Sequence, residues 1–314
     1  MSNFLKKYKK TIVLILIVVA ITLFESNSSW VERYYYKFLY CKTSFIQRII
    51  TSWLPFSIGD VLYVLLGVFI IISIYFFIKK IIKEPQKIEV IKKALIKTIN
   101  FLLIIYIAFK LLWGLNYSRQ GIAKQLDLKE TVYCKEAVVD LIENLIVEAN
   151  NCRKQIADTS LPNLTLKYIF EETEKAYLQV ENQYLFLNVK MFAVKTSLFS
   201  PVGNYLGYTG YYNPFTGEAQ IRNDIPTILL PFISCHEVAH QLGYASEDEA
   251  NFVAFLVAEK SNNMYLKYSM CLEIIDYAMN DLFVKYAEDF DIKMGIEKRR
   301  QLEDCFDSQV RSDR

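Results

Sequence analysis

The chain has 314 residues, room for one large or two modest domains, and 53% of them are hydrophobic. Its 36 Lys and Arg nearly balance 34 Asp and Glu, which removes any electrostatic reason to expect a nucleic-acid partner. Cysteines at 41, 134, 152, 235, 271 and 305 form no C-x-x-C pair, excluding a zinc ribbon and a redox motif, while a Cys134–Cys152 disulfide stays open outside the cytoplasm.

The hydrophobic excess is concentrated near the start. Lys6, Lys7, Lys9 and Lys10 precede an apolar run from Thr11 to Phe24. The run is short enough for a signal peptide, but no small-x-small site follows, so it reads as an uncleaved anchor. Residues 30–57 are aromatic and mixed in charge, with Tyr34, Tyr35, Tyr36, Trp53 and Pro55, and suit an interfacial stretch lying on a membrane. Ile58 to Ile78 is the clearest span, and Lys79, Lys80, Lys83, Lys87, Lys92 and Lys93 follow it. A third span runs from about Ala94 to Trp113, where Lys97 and Lys110 snorkel near the ends; a buried soluble helix is its competing reading.

Lysine asymmetry places the amino terminus and the 79–93 loop in the cytoplasm. Three spans, about 11–24, 58–78 and 94–113, then make residues 1–113 a membrane domain and put residues 114–314 outside. A two-span or re-entrant arrangement would return that second domain to the cytoplasm.

Residues 129–157 carry apolar positions at helical spacing, and 161–200 read as mixed, with a helix from Ile169 to Val180 and a β-rich patch from Leu185 to Val194. Two aromatic runs around Asn213-Pro214-Phe215-Thr216-Gly217 predict a hairpin over 205–222. A strand in that position is suited to align an extended peptide by main-chain hydrogen bonding; an ordinary structural hairpin is the alternative. Beyond Asn251 the chain reads as helical to near its end.

The chemistry concentrates in His236-Glu237-Val238-Ala239-His240. Residues four apart share a helical face, so His236 and His240 can offer two imidazoles to one metal, with Glu237 placed to take a proton from water. These are the chain's two histidines, whereas histidines used for packing would be scattered. The bland reading is an amphipathic core helix with two half-buried histidines. Gly243 ends the helix and lets the chain double back. A histidine-rich zincin would need a third histidine at Ser246, so that class is excluded. Glu247 and Asn251 share a face four apart: Glu247 is the expected third ligand, and Asn251 can hydrogen-bond a ligand imidazole. Ser246 and Glu249 form a capping box, which makes Glu249 the alternative ligand. Cys235 reads as a small buried residue. No histidine remains to stabilise an oxyanion, so Tyr244, Tyr211 and Tyr208 are the candidates, with Arg222 beside them.

The stretches Leu112-Trp113-Gly114-Leu115-Asn116-Tyr117-Ser118-Arg119, Gly210 to Ala219, Cys235 to Tyr244 and Glu247 to Phe252 together resemble the bacterial membrane-protein family labelled domain of unknown function 3810. The resemblance spans nearly the whole chain and implies a zincin-like protein anchored in the cytoplasmic (inner) membrane, with no known substrate. The H-E-x-x-H and E-x-x-A-N pair is also similar to that of membrane peptidases carrying E-x-x-A-D, with Asn251 in place of Asp and a shorter gap.

The expected fold is therefore α+β: three N-terminal transmembrane helices and a mostly helical zincin-like domain with a small hairpin or sheet. The expected function is a multi-pass zinc metallopeptidase, catalytic domain on the periplasmic side. It would bind one Zn2+ per chain through His236, His240 and Glu247 and use Glu237, Tyr244 and Tyr211 in catalysis on a peptide or protein substrate. The lipid bilayer is its other partner. The alternative is a non-hydrolytic membrane sensor or scaffold with a structural zinc, which would not need Glu237. An intramembrane protease is excluded, because Ile228 to Ile233 is too short to span.

Overall fold

Lysine and glutamate are good helix formers, so the N-terminal helices continue past their apolar runs until a breaker stops them. The computed structural model describes residues 2–129, 131–156, 164–288 and 292–314. The side chains of residues 2–7, 288 and 292 lie outside that description, Lys6 and Lys7 of the basic start among them. So do positions 130 and 157 of the expected 129–157 helix and the first residues of the mixed 161–200 stretch.

α1 (Ser2–Glu25) leads to a short α2 (Ser28–Trp30), capped by the Asn27 side chain. The chain then winds as a π-helix over Val31–Tyr40 before α3 (Cys41–Ser52) restores α-geometry. Burial follows the winding. Val31, Tyr35 and Tyr40 recur at steps of four and five, then Ser44, Arg48 and Thr51 at steps of four and three. The stretch expected simply to lie on a membrane thus commits one face to the protein, turned 96° from α1.

α4 (Ile58–Lys83) starts at the Ser57 cap, and Pro85 keeps it from continuing beyond Glu84. Its last turn carries Lys80 and Lys83, where cations suit the helix dipole, so it outruns the expected end at Ile78. α5 (Lys87–Leu112) likewise begins before the expected Ala94. α4 and α5 are long and apolar enough to cross a membrane, and α1 with its bent continuation makes a third if counted as one span. Lys110 at the end of α5 pairs with Glu25 at the end of α1 at 2.5 Å. At the start of α4, Glu218 accepts from the Ile58 and Gly59 amides at 3.1 and 2.7 Å. The remainder of the chain therefore sits at one end of these helices, and the 79–93 lysines lie at the other.

After a 3-10 turn (Gly114–Ser118) come α6 (Gly121–Gln125), α7 (Lys135–Gln155) and α8 (Leu166–Val180). β1 (Val194–Thr196), α9 (Ser200–Leu206), β2 (Gly210–Tyr212) and β3 (Ala219–Ile221) follow. The β-rich patch foreseen at Leu185–Val194 is displaced: Leu185–Leu187 is a 3-10 turn and the strand begins at Val194. The predicted hairpin forms, with Gly210 opposite Ile221 and Tyr212 opposite Ala219. Its turn closes where Asn213 Oδ1 accepts from the Phe215 amide at 2.9 Å. β1 pairs in parallel with β3, giving the order β1-β3-β2 and leaving β2 at an edge. The chain ends with α10 (Leu230–Gln241), α11 (Glu247–Lys260), α12 (Met264–Glu288), α13 (Ile292–Glu303) and α14 (Ser308–Asp313). The main core joins α7, α8, α10, α11 and α12 through Ile142, Ile146, Tyr177, Val238, Val257 and Ile275. The architecture is α+β, mostly helical with one three-stranded sheet among the described residues.

The last carbonyls of a helix have no partner within it. Those of α10 are taken up by distant side chains. Trp113 Nε1 donates to His240 O at 3.2 Å, Tyr40 Oη to Gln241 O at 2.9 Å and Arg48 Nη1 to Gln241 O at 2.8 Å. Arg119 Nη1 donates to Gly243 O at 2.9 Å, while its Nε meets Glu32 at 2.9 Å and its guanidinium lies 3.3 Å from the centre of the Tyr36 ring. Gly243, at φ +82, has no room for a Cβ between Tyr40 and Asn116. Arg119→Met would strand the largely buried Glu32 and two carbonyls, so we expect it to cost about 3–5 kcal/mol, read from unfolding of the detergent-solubilised protein.

Candidate metal centre

Gly243 lets the chain reverse directly after α10, with the Tyr244 amide donating to Ala239 O at 3.2 Å. The reversal brings the Tyr244 carbonyl to 2.7 Å from His240 Nδ1. On the other side, Asn251 Oδ1 lies 2.7 Å from His236 Nδ1. Both partners are acceptors, so both Nδ1 atoms carry the proton and both Nε2 atoms present lone pairs. Those two Nε2 atoms stand 3.1 Å apart, with ring planes at 89°. Two nitrogen donors on a tetrahedral first-row ion would stand about 3.3 Å apart, given metal–nitrogen bonds of about 2.0–2.1 Å.

Glu247, the first residue of α11, completes the group. Its Oε2 is 3.1 Å from His236 Nε2 and its Oε1 3.7 Å from His240 Nε2. The three donor atoms lie within 4.8 Å of one another. Glu249 is elsewhere: its Oε1 accepts from the Ile122 amide at 2.7 Å and so caps α6. Ser246 Oγ still accepts from the Glu249 amide at 3.4 Å, but the Glu249 carboxylate does not return the bond, so the capping box is half-formed. Cys235 is fully buried, and each of the six cysteines is free.

The donor set suits a cation electrostatically. Burial alone would lower His236, but the hydrogen bond that its protonated ring donates to Glu247 and the carboxylates of Glu237 and Glu247 outweigh it and raise its pKa. His240 moves the other way, to about 4, through burial and repulsion from His236. Glu247 is held below the usual carboxylate range, first by its hydrogen bond with His236. A cluster that favours a proton on one imidazole and disfavours it on the next offers a donor set that can hold a shared cation.

Glu237 has a different environment. Burial pushes its carboxyl up to about 8, with His236 opposing and Glu247 adding to the rise. Among the described residues no protein group bonds its Oε2. It lies beneath Gly210 of β2 so tightly that a Cβ there would come within 2.5 Å of Glu237 Oε1. Glu237, His236, His240 and Glu247 line one cleft of ≈ 580 Å³ between the hairpin, the end of α5, α10 and α12.

The tyrosines are redistributed. Tyr244 is withdrawn from the catalytic place foreseen for it, since it is fully buried and its hydroxyl donates to Gln125 Oε1 at 2.6 Å. Tyr211 does line the cleft, but its phenol proton is already committed to Asp60. Burial, and then that bond, hold its pKa far above the ordinary phenol value. Arg222 is occupied by Asp224, Asn204 and the Tyr208 carbonyl. Tyr208 lines the cleft, its hydroxyl 3.4 Å from Ser197 Oγ.

Sequence reasoning missed Tyr117, Glu273 and Tyr277, which also line the cleft. Burial, with Asp276 adding, pushes Glu273 up to about 7. Tyr277 lines the cleft with Asn251, the residue behind His236. Glu273 and Tyr277 sit one turn apart on α12, an ordinary spacing that marks nothing until α12 is known to pack on α10. Tyr117 did fall inside one of the stretches that carried the family resemblance.

No curated protein and no solved structure matches the chain. A family model does, over residues 35–303, and that range includes every residue of the cleft. The chain belongs to the family described as protein of unknown function (DUF3810).

Proposed function

We propose that the protein is a membrane-anchored, zincin-like metallopeptidase in which His236, His240 and Glu247 hold one zinc ion. The observation that carries this reading is Glu237, a buried carboxylate with an unpartnered oxygen beside three converging donors, at the wall of an open cleft. Burying an unpaired carboxylate is costly, and a purely structural site needs ligands but no base. The scaffold reading also lacks a fourth ligand among the described residues, since three donors converge and all three line the cleft.

When bound, the ion supplies Lewis acidity, polarising a carbonyl and acidifying water. Glu237 takes a proton from the attacking water and returns it to the departing amine, a role its raised pKa suits near neutrality. The Tyr244 carbonyl and Asn251 fix the two imidazole tautomers. Edge strand β2 offers its unpaired side to an extended peptide. Tyr117, whose side chain senses the charge of Glu247, stands in the cleft as donor to the developing oxyanion. The lysines at the end of α4 and the start of α5 favour the cytoplasm, which supports a cleft on the outer side of the cytoplasmic membrane.

Three outcomes follow. Purified protein should carry about one zinc, lost in His236→Ala and Glu247→Gln but kept in Glu249→Gln. Elemental analysis decides this, and full zinc content in Glu247→Gln would remove the ligand assignment. Glu237→Gln should keep its zinc while peptide hydrolysis falls by about 10²–10⁴, the usual size of a lost general base; wild-type turnover in that variant would end the mechanism. For topology, a reporter fused after Arg314 should work only when exported, and cytoplasmic activity would reverse the orientation.

A further inference from the structure

α9 faces the wrong way for a helix in water. Its buried positions are Ser200 and Gly203, two of the smallest residues available. Leu198, Val202, Tyr205 and Leu206, at i, i+4, i+7 and i+8, all point outward, with Tyr205 91% and Leu206 67% exposed. From Thr196 to Gly217 the chain carries no charged residue. A contiguous uncharged apolar face of this kind marks an interaction surface.

Its position says what the surface meets. The Leu198 amide donates to Asp60 Oδ2 at 2.6 Å, and Asp60 lies in the first turn of α4. Lys195 Nζ donates to the carbonyls of Ser52, at 2.8 Å, and Leu54, fixing the turn that enters α4. That turn leaves Trp53 74% exposed with Phe56 exposed beside it. The patch therefore sits level with the start of an apolar span and runs into that span's own outward-facing Leu62, Val64 and Leu65. Tryptophan and tyrosine are the side chains that favour the headgroup layer.

We infer that Trp53, Phe56, Leu198, Val202, Tyr205 and Leu206 form a collar seated in the interface of a lipid bilayer around the start of α4. The mouth of the cleft is then held at the membrane surface, because its Gly207–Gly210 rim follows α9 directly. A protein partner would have to bind a face that continues without a break into the lipid-facing side of α4. The collar stands on the placement of α9 and α4 and is independent of the peptidase reading.

The test uses full-length protein in phospholipid vesicles, with the exposed thiols removed as Cys41→Ser, Cys134→Ser and Cys305→Ser. A single fluorophore is attached through Tyr205→Cys or Leu206→Cys. Leu185→Cys is the control: it is 82% exposed, and its neighbour Tyr184 lies near Lys260, at the end of α11 remote from the cleft. These side chains are exposed, so the labels leave the packing intact. Lipids bearing a nitroxide near the headgroup should quench 205 and 206 several-fold more than 185. Equal quenching at all three positions overturns the collar. Labels at 205 and 206 that are shielded from aqueous iodide yet unquenched by the lipid also overturn it, since a protein would then cover the face.

Discussion

Everything in the candidate site depends on how α10 ends. A helix stops with unpaired carbonyls and a partial negative charge, and burying that end without partners would cost several hydrogen bonds. Here Tyr40, Trp113, Arg48 and Arg119 take those carbonyls, two of them bringing positive charge to the negative end. His240 belongs to the turn they fasten. The reversal at Gly243 then delivers the carbonyl that sets the His240 tautomer and, three residues on, Glu247. One capped helix end thus orients two of the three donors, and the third, His236, lies one turn back along the same helix.

The site is also a concentration of charge at low dielectric. Two imidazoles and two carboxylates line one cleft, and Glu273 lines it too. Burial and crowding act together: His236 gains basicity from its acidic neighbours against its burial, His240 loses it to burial and then to His236, and burial keeps Glu237 from ionising. Local conflicts of this sort are expected where function overrides stability. The large apolar core of α7, α8, α11 and α12 lies directly behind and keeps the wall rigid.

What could be read in advance was what repeats over short distances. The four-residue histidine spacing, Glu247 with Asn251, the glycine that stops α10 and the hairpin turn all depend on neighbours within a few residues, and the structure brings them together as expected. Helix ends were harder, because Lys79, Lys80 and Lys83 are hydrophilic yet continue α4. The 31–40 stretch escaped for a different reason: its buried face follows a π period, which a search for 3.6-residue spacing passes over. Tyr244 was misjudged because nearness in sequence to a candidate metal ligand says nothing about which way a side chain points; its ring turns into the core while its backbone carbonyl serves the histidine. Tyr117, Glu273 and Tyr277 reach the cleft through packing between remote elements, which no local pattern encodes.

The caps on α10 have a bearing on biosynthesis. Tyr40 precedes its acceptor by 201 residues, Arg48 by 193 and Trp113 by 127. A chain emerges from the ribosome amino-terminal end first, so the receiving side chains are made long before the helix they receive. Until residues 242 and 243 have been synthesised, Arg119 has, among the described residues, Glu32 and the Tyr36 ring to hold it. Contacts of such separation close slowly. The last turn of α10 is therefore among the later parts of the molecule to settle, and its two histidines become a defined pair only when the oldest and newest parts of the chain have met.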